Sequence, residues 1–349
     1  MAAFENPAFD DHERVVFCSD SASGLQAIIA IHSTVLGPAA GGCRLWSYVS
    51  DDAALTDVLR LSQGMSYKNA MAGLKFGGGK AVIIKTPEFE GSDTLYERFG
   101  EFIDQLNGDY VTAEDVGMSV EIMQTIGHRT KYVSGLPRKG GQAGGDPSPK
   151  TSWGIFRGIE AAVRFKLGRD SVDGLTVAVQ GAGHVGYYLS KYLAASGANL
   201  VVADIDEGRA QRVCDEFGAT SASLDDILYQ DVDVVAPCAL GAILTEQSIP
   251  RLKTTIVAGG ANNQLEGDAD GQRLFDAGIL YAPDYVINGG GIINVSSEYY
   301  GDVTDDEVMA LVDAIGPRLT GIFEEAAEAG LPTNQVADTQ AQKIIAAAS

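Results

Sequence analysis

The sequence contains few cysteines, few histidines and no long apolar run. Its four cysteines are far apart with no C-x-x-C pair, which argues against a disulfide scaffold and a zinc site. None of the four histidines lies in an H-x-x-x-H or a Ser/His/Asp context, so metal and acyl-transfer chemistry have no support. No membrane span or signal peptide is recognisable. These absences predict a cytoplasmic protein with reduced, mostly buried cysteines.

Positive charge is also scarce. The chain has 25 Lys and Arg residues against 47 Asp and Glu, which gives a net charge of −22. Such a chain repels nucleic acid phosphates and anionic membranes unless it carries a local basic patch, and no dense cluster of Lys and Arg occurs. We therefore expect neither nucleic acid nor a membrane as partner. The 349 residues, 45% of them hydrophobic, suffice for two packed domains.

The most informative segment runs from Tyr67 to Lys80 and reads YKNAMAGLKFGGGK. Its three consecutive glycines precede Lys80 and an apolar run, so a ligand could approach the main chain closely there. Two ammonium groups in one cleft repel each other, and partial desolvation lowers the pKa of a lysine, which would suit acid/base chemistry near neutral pH. One lysine would then hold an anion while the other does chemistry. The alternative is a surface turn with two solvated lysines.

The pattern along the chain predicts an α/β protein. In the first third, apolar runs of strand length alternate with helical periodicity. The predicted strands are Val15–Cys18, Leu25–His32 and Lys80–Ile84, and the predicted helices are Asp51–Ser66 and Leu95–Leu106. A Gly- and Pro-rich segment over 135–150 is typical of a hinge or cleft loop between domains, or of a surface loop. A helix over Trp153–Lys166 follows.

A second domain is indicated by a glycine motif in a strand–turn–helix context. The strand Thr176–Gln180 leads into Gly181-x-Gly183-x-x-Gly186, a helix follows, and the next strand ends at Asp204. In such motifs the first glycine makes a tight turn, the second admits a pyrophosphate, the third packs helix on strand, and the acid binds a ribose hydroxyl. The pattern predicts a dinucleotide site that prefers NAD, since a 2′-phosphate would meet a carboxylate. A nearby arginine, Arg209, leaves NADP open.

Three further strands are each followed by a polar or Gly-rich loop. They are predicted over Val232–Ala236, Thr255–Ala258 and Gly278–Tyr281, and the last loop over Pro283–Ile293. In a doubly wound sheet such loops gather at the carboxyl edge, where the amides of Asn262 and Asn288 could orient a nicotinamide or a substrate. The alternative is that both asparagines cap turns. A helical stretch over Asp305–Glu328 and a short helix end the chain.

Six segments carry a resemblance that spans nearly the whole chain. They are Gly37–Arg44, Gly64–Ala70, Gly77–Lys80, Thr112–Gly117, Ala236–Gly241 and Tyr281–Asn288. In this order they resemble the amino acid dehydrogenases that act on leucine, valine or phenylalanine, relatives of glutamate dehydrogenase. The resemblance implies reversible oxidative deamination of an L-amino acid to a 2-oxo acid and ammonium, with NAD as cofactor.

The resemblance also implies a division of the chain. An N-terminal α/β domain for substrate binding and oligomerisation would span 1–135 and be completed by a C-terminal helix over 332–349. A doubly wound Rossmann domain for NAD would span 150–331, and the cleft between the two would close for hydride transfer. The protein would be a homo-oligomer whose partners are otherwise small molecules.

Residue roles follow from the same resemblance. Lys68 would pair with the substrate carboxylate, Lys80 would activate water and stabilise the carbinolamine, and Asp115 would exchange a proton with the substrate amine. A carboxylate needs a fixed cation, and attack of water and departure of ammonia need a base and an acid, so this division is chemically reasonable. Glu114 is the competing carboxylate, but adjacent residues in an extended segment face opposite ways, so we expect one of the two.

The remaining expected site residues form two sets. The substrate set adds Gly41, Gly42, Ala40, Met65, Ala113, Asn262, Ile292 and Val295. The cofactor set is Gly181, Gly183, His184, Val185, Gly186, Asp204, Ile205, Thr151, Cys238, Ala239, Asn262 and Asn288. The apolar pocket wall has no cation for a second carboxylate, which argues against glutamate. An aliphatic branched-chain amino acid is expected, with phenylalanine as the alternative.

The sequence departs from the family pattern at two positions, and two other classes of protein remain as alternatives. Many relatives have threonine in place of Cys43, and Lys75 adds a third cation that we expect to point to water. A different NAD(P) oxidoreductase of similar architecture would not need Lys68, Lys80 and Asp115. A non-catalytic NAD-sensing protein would bind NADH without reducing NAD in the presence of an amino acid.

Overall fold

Two α/β units divide the chain. The computed structural model describes residues 3–87, 89–136, 146–301 and 303–348. Contacts assign Met1–Gly145, Val295–Asp305 and Ala341–Ser349 to the first unit, and Asp146–Asn294 and Asp306–Gln340 to the second. Within the described ranges, no helix is both long and apolar enough to cross a membrane.

The first unit is a mixed sheet covered by helices. Its elements are β1 (Arg14–Asp20), β2 (Leu25–Ser33), β3 (Ala39–Trp46), α1 (Asp51–Met71), β4 (Gly77–Ile84), α2 (Asp93–Asp104), β5 (Tyr110–Glu114) and α3 (Val120–Gly127). The strand order is β1-β2-β4-β3-β5, with β3 parallel to both of its neighbours. Helix α1 packs on one face, where Val58 and Leu59 meet Val82. Side chains of α2 and α3 join the core on the other face.

Two strands of the first unit escaped sequence analysis. Strand β3 lies between β4 and β5, and both β3 and β5 run through segments that were recognised only as motifs. The predicted alternative of a surface turn at the triple glycine is wrong, because Gly77–Gly79 are buried inside β4. A Cβ atom at Gly78 would lie 2.1 Å from the backbone nitrogen of Ser66 on α1. These glycines therefore let helix and strand pack closely, and protein atoms occupy the space that we had expected for a ligand.

The second unit is a parallel, doubly wound sheet, which confirms the predicted fold class. Its strands are β6 (Thr176–Gln180), β7 (Asn199–Ala203), β8 (Thr220–Ser221), β9 (Val234–Pro237), β10 (Ile256–Val257) and β11 (Leu280–Tyr281). The order among the described residues is β11-β10-β9-β6-β7-β8, and every pair is parallel. Connections between parallel strands require crossovers, which the intervening helices supply.

Nine further α-helices among the described residues follow α3 along the chain. They are α4 (Ser148–Leu167), α5 (His184–Ala195), α6 (Glu207–Phe217), α7 (Asp268–Asp276), α8 (Asp284–Ile287), α9 (Gly290–Tyr300), α10 (Asp305–Asp313), α11 (Ile315–Ala329) and α12 (Thr333–Ala348). The loop predicted over Pro283–Ile293 is wrong, since α8 and the start of α9 occupy it. A Cβ atom at Gly290 would lie 2.4 Å from the carbonyl oxygen of Lys150, so the glycines there allow close helix packing.

The predicted boundaries differ from the two units in three places. Most of the predicted hinge, 137–145, lies outside the described residues, and α4 already begins at Ser148. The segment 295–305 belongs to the first unit, where the ring of Tyr300 stacks on Phe76 with centroids 4.9 Å apart and its hydroxyl donates to the carbonyl of Lys75. Helix α12 is divided after Gln340.

Candidate active site

Lys80 and Asp115 meet in the first unit. The Lys80 side chain projects from β4, and Asp115 directly follows β5, so strand β3 separates the two. Nevertheless Lys80 Nζ lies 2.7 Å from Asp115 Oδ2. The lysine is only 6% exposed, which excludes the alternative of a solvated surface lysine. A buried ammonium paired with a carboxylate is the kind of group that acid/base chemistry uses.

Gly42 on β3 makes this pairing sterically possible. The register places Gly42 beside Ala113 and Cys43 beside Glu114 on β5. A Cβ atom at position 42 would lie 2.8 Å from the Cβ of Asp115, closer than ordinary contact. The missing side chain therefore opens the path by which Asp115 reaches across β3 to Lys80.

The charge of Asp115 is set by its neighbours. Burial raises the pKa of its carboxyl, but the ammonium of Lys80, its hydrogen bond and the guanidinium of Arg44 outweigh burial, so the pKa is lowered overall. Asp115 is thus held as a carboxylate. The side chain of the adjacent Glu114 is exposed instead. Its remaining partial desolvation and the negative charge of Glu121 raise the pKa of its carboxyl. The structure brings Asp115, rather than Glu114, to Lys80.

Helix α1 carries the second predicted lysine. Ser50 caps its N-terminus by accepting a hydrogen bond from the Ala53 amide, and half-buried Lys68 lies in its last turn. The buried side chain of Asn69 donates to the carbonyl oxygen of Gly77 at 2.6 Å, which fixes this end of α1 to β4. The exposed Lys75 points to water, as expected.

The predicted pocket residues fall into both units. Ala40, Gly41, Gly42, Met65, Ala113 and Val295 belong to the first unit, and Asn262 and Ile292 to the second. In the first unit, a Cβ atom at Gly41 would lie 3.0 Å from the Cγ of Met65. Val295 is tied to the sheet because Ser134 Oγ donates to its carbonyl at 3.1 Å and the Ser134 amide donates to Thr112 of β5.

The glycine motif of the second unit shows three different environments. Gly181 has φ +97°, a left-handed conformation that suits the tight turn. A Cβ atom at Gly186 would lie 1.8 Å from the carbonyl oxygen of Gly181, whereas one at Gly183 would meet no atom within 4 Å. The turn and packing roles predicted for the first and third glycines are confirmed. The open space at Gly183, at the start of α5, fits an approaching pyrophosphate.

Asp204 is anchored beside this turn. Its Oδ2 accepts from the Ala182 amide at 2.6 Å and its Oδ1 from the Asp206 amide at 2.8 Å, so the carboxylate is oriented before any ligand binds. The arginine that left NADP open is also engaged, since Arg209 Nε lies 3.4 Å from Asp206. Ile205 projects next to Asp204 and is 86% exposed. These contacts fix the carboxylate of Asp204 beside the glycine turn and pair Arg209 with Asp206.

The two predicted amides act on each other. Asn288 is buried, and its Nδ2 donates to Asn262 Oδ1 at 2.7 Å and to the Gly260 carbonyl at 3.2 Å. Asn262 itself is exposed, so the bond leaves its Nδ2 as a donor for a ligand. Asn288 therefore orients Asn262. That these amides contact a ligand stays a prediction, since both donor contacts of Asn288 are to protein atoms.

The other predicted cofactor residues surround the same turn of the second unit. The amide of Cys238 donates to the Gln180 carbonyl at 2.7 Å, and a Cβ atom at Gly181 would lie 2.8 Å from the Cβ of Ala239. Val185 accepts a hydrogen bond from Ser152, and His184 is largely exposed. Thr151 lies on α4 and packs against the start of α9, where a Cβ atom at Gly291 would approach its hydroxyl to 2.9 Å.

Sequence reasoning missed two polar groupings in the first unit. It found no histidine in a Ser/His/Asp context, yet Ser66 Oγ lies 2.7 Å from His32 Nδ1, and His32 Nε2 lies 3.3 Å from Asp10. Ser66 is 1% exposed beneath β4, which suits packing of α1 rather than nucleophilic chemistry. The second grouping surrounds Arg44. Its signal was present, since Arg44 ends the segment Gly37–Arg44.

The comparisons with known proteins agree with this geometry. The model of the Glu/Leu/Phe/Val dehydrogenase dimerisation domain matches residues 12–132, and that of Glutamate/Leucine/Phenylalanine/Valine dehydrogenase matches residues 202–348. The chain belongs to this dehydrogenase family. Its relatives include the leucine dehydrogenase of Bacillus subtilis (strain 168), which is 47% identical over 96% of this chain and 92% of the relative.

Relatives with aromatic substrates in their names are similar to the chain as well. The crystal structure of L-tryptophan dehydrogenase from Nostoc punctiforme superimposes with a TM-score of 0.86, 44% identity and coverage of 97% of this chain and 96% of that chain. Phenylalanine dehydrogenase of Lysinibacillus sphaericus is 42% identical over 96% of this chain and 89% of the relative. The family is thus shown, while the amino acid that this chain prefers requires a separate argument.

Proposed function

We propose that the protein catalyses the reversible, NAD-dependent oxidative deamination of an apolar L-amino acid of the leucine or valine type. The observation that carries the proposal is the buried contact of 2.7 Å between Lys80 and Asp115 in the first unit. The second unit supplies an open glycine turn with an oriented acid, Asp204, which fits NAD. NAD, when bound, accepts the hydride from the substrate Cα.

The chain's own residues account for the proton transfers. Lys68 pairs with the substrate carboxylate, a fixed anion that needs a fixed cation. Asp115, held ionised by its cationic neighbours, accepts a proton from the substrate ammonium, so that the neutral amine can release a hydride from Cα. The products of this stage are the substrate iminium and a protonated Asp115.

Hydrolysis of the iminium then uses the same pair. Lys80 first releases its proton to solvent, and its neutral amine then takes a proton from the water molecule that attacks the iminium carbon. The ammonium formed in this way stabilises the resulting carbinolamine. Asp115 returns its proton to the amine of the carbinolamine, the C–N bond breaks, and the hydroxyl proton passes to the departing ammonia as the carbonyl forms. The 2-oxo acid and ammonium are released, which balances the water consumed. General acid/base catalysis of this kind contributes about 10²–10⁴ in rate.

The proposed substrate class follows from the side chains that the family resemblance assigns to the substrate. Ala40, Met65, Ala113, Ile292 and Val295 offer no cation for a second carboxylate, which argues against glutamate. Leucine dehydrogenases at about 47% identity support an aliphatic side chain. A difference of one methylene changes discrimination by only about 1–3 kcal/mol, so related side chains should be accepted more weakly.

An aromatic amino acid is the second candidate. The small side chain at Ala40 leaves room for a larger substrate, and both a tryptophan and a phenylalanine dehydrogenase are more than 40% identical to the chain. We further propose a homo-oligomer assembled through the first unit, because the family model that matches residues 12–132 is described as a dimerisation domain.

The proposal is tested by NADH formation with leucine, valine, isoleucine, phenylalanine, tryptophan and glutamate, each with NAD and with NADP. We expect leucine or valine with NAD to give the highest kcat/KM. Preference for glutamate would contradict the pocket argument, and preference for NADP would contradict the role of Asp204. Binding of NADH without reduction of NAD by any amino acid would indicate an NAD-sensing protein.

A further inference from the structure

A second cation, the guanidinium of Arg44, lies beside the carboxylate of Asp115. Arg44 Nε lies 3.4 Å from the same Oδ2 atom that Lys80 contacts, and the side chains of Arg44 and Asp115 are equally shielded, at 23% exposure each. The register of β3 and β5, with Cys43 beside Glu114, brings Arg44 level with Asp115. One carboxylate oxygen is therefore shared by an ammonium and a guanidinium.

The other end of Arg44 is fixed. Its Nη1 donates to Asp57 Oδ2 of α1 at 2.9 Å, and the hydroxyl of Tyr48 donates to the same oxygen at 2.6 Å. A guanidinium is planar and cannot lose its proton in proteins, so anchoring one edge on α1 fixes the direction of the opposite edge. Arg44 thus links helix α1 to the carboxylate of Asp115.

The other titratable groups around Asp115 cannot replace Arg44. Cys43 and Tyr110 interact with it from β3 and β5, but burial raises the pKa of both groups well above the ordinary value, so both are neutral at neutral pH. From β4 comes Lys80. Among the described residues, the charges that lower the pKa of Asp115 are therefore those of Lys80 and Arg44, and Lys80 is occupied with chemistry in the proposed reaction.

We propose that Arg44 is a positioning residue that aims the Asp115 carboxylate at Lys80 and sets the lowest pH at which deamination proceeds. Without the guanidinium of Arg44 beside Oδ2, the carboxylate could rotate away from Lys80. It would also be protonated at a higher pH, and a protonated Asp115 cannot accept the proton of the substrate ammonium. The inference rests on the proposed deamination.

The test compares R44Q and R44K with a matched control, R14Q. Arg14 lies on β1 of the same unit and forms an Arg–Asp pair of the same length, 2.9 Å to Asp109, far from the catalytic pair in the strand order. For R44Q we expect kcat with the best amino acid to fall about tenfold or more, and the acidic limb of the pH profile of kcat/KM to move up by about one pH unit. R44K keeps the charge but loses the fork, so its acidic limb should stay near that of the parent while kcat falls. R14Q should match the parent in both.

A second measurement does not depend on activity. The Tm difference between the parent and D115N is recorded against pH, and again between R44Q and R44Q/D115N. Because the folded-state pKa of Asp115 is lowered, its carboxylate contributes stability above the unfolded pKa and loses it as pH falls through the folded pKa. This loss should occur at higher pH with R44Q. The same pH in both backgrounds, or an acidic limb unmoved in R44Q, would overturn the inference.

The two measurements separate the inference from the proposed function. If none of the tested amino acids supports reduction of NAD by the parent, the proposed function fails. The Tm comparison still decides whether Arg44 controls the ionisation of Asp115. If the parent is active and neither profile moves, the proposed function stands and the role of Arg44 is wrong. Should R44Q not fold, D57N removes the anchor of Arg44 and should produce the same fall in kcat.

Discussion

Two glycines of the first unit and one glycine of the second serve opposite purposes. In the first unit, Gly42 and Gly78 leave no room for a Cβ atom, because Asp115 and Ser66 occupy the space. In the second unit, Gly183 faces open space, and a Cβ atom there would meet no atom within 4 Å. The same residue type therefore admits protein atoms in one unit and leaves room for a ligand in the other. Glycine content by itself cannot distinguish the two uses.

The largest expected effect tests whether the reaction depends on the contact of Lys80 with Asp115 in the first unit. K80A should lower kcat by about 10²–10⁴, because the buried ammonium that faces Asp115 is lost. K75A is the control, since Lys75 lies in the same segment but is exposed. Steady-state NADH formation with the best amino acid measures both. Turnover of K80A close to that of K75A would favour a different class of NAD(P) oxidoreductase.

Adding one methyl group at Gly42 tests the packing directly. G42A should place a Cβ atom against Asp115 and move it away from Lys80, so we expect kcat to fall by about tenfold to a hundredfold. Overpacking should also cost roughly 1–3 kcal/mol in the free energy of unfolding. Activity and denaturant unfolding measure the two effects.

Gly64 provides the control for this substitution. It lies within α1 and has open space around it, so G64A should leave activity unchanged and stabilise the helix by about 0.5–1 kcal/mol. If G42A is as active and as stable as G64A, Asp115 does not need the gap at position 42.

How much the sequence could predict follows the same division. The motif Gly181–Gly186 was predictable because its strand, turn and helix are contiguous in the sequence. The contact of Lys80 with Asp115 spans three strands whose order, β4-β3-β5, no local pattern encodes. Family resemblance named both residues, but it gave no reason for Gly42 between them.

The errors share a physical origin. The sequence pattern of the glycines at 77–79 and 290–291 favours a ligand floor and a loop, although both sets allow other protein atoms to pack closely inside regular elements. Propensity counts the entropic cost of glycine, while tertiary packing decides whether that cost is repaid. The grouping of Ser66, His32 and Asp10 is also formed only by tertiary structure, because its members come from a helix, a strand and a loop that are distant in the sequence.

Two glycines of the second unit sharpen the comparison within one turn. G183A should fold as stably as the parent but raise the KM for NAD about tenfold, because its methyl group enters space that only the ligand uses. G186A should instead lower the Tm, because its methyl group would collide with the Gly181 carbonyl. Thermal unfolding and NAD titration check both. A loss of Tm in G183A equal to that in G186A would show that both glycines serve packing.

The smallest expected effect concerns two partly buried carboxylates, one in each unit. Asp115 has two cationic neighbours and a lowered pKa, whereas Asp338 on α12 has a pKa raised to about 6 by burial and by Asp268 and Asp284, despite its hydrogen bond from Tyr285. A raised pKa means that the native state prefers the protonated acid, so the stability it contributes is lost as pH rises through about 6.

The substitution D338N removes this loss of stability. It should therefore raise the free energy of unfolding by about 1–2 kcal/mol at pH 8 and by almost nothing near pH 4. The exposed D225N is the control, and its Tm should follow the parent at both pH values. A D338N gain that is equal at pH 8 and pH 4 would show that burial of Asp338 is compensated, as it is for Asp115, and the contrast between the two units would disappear.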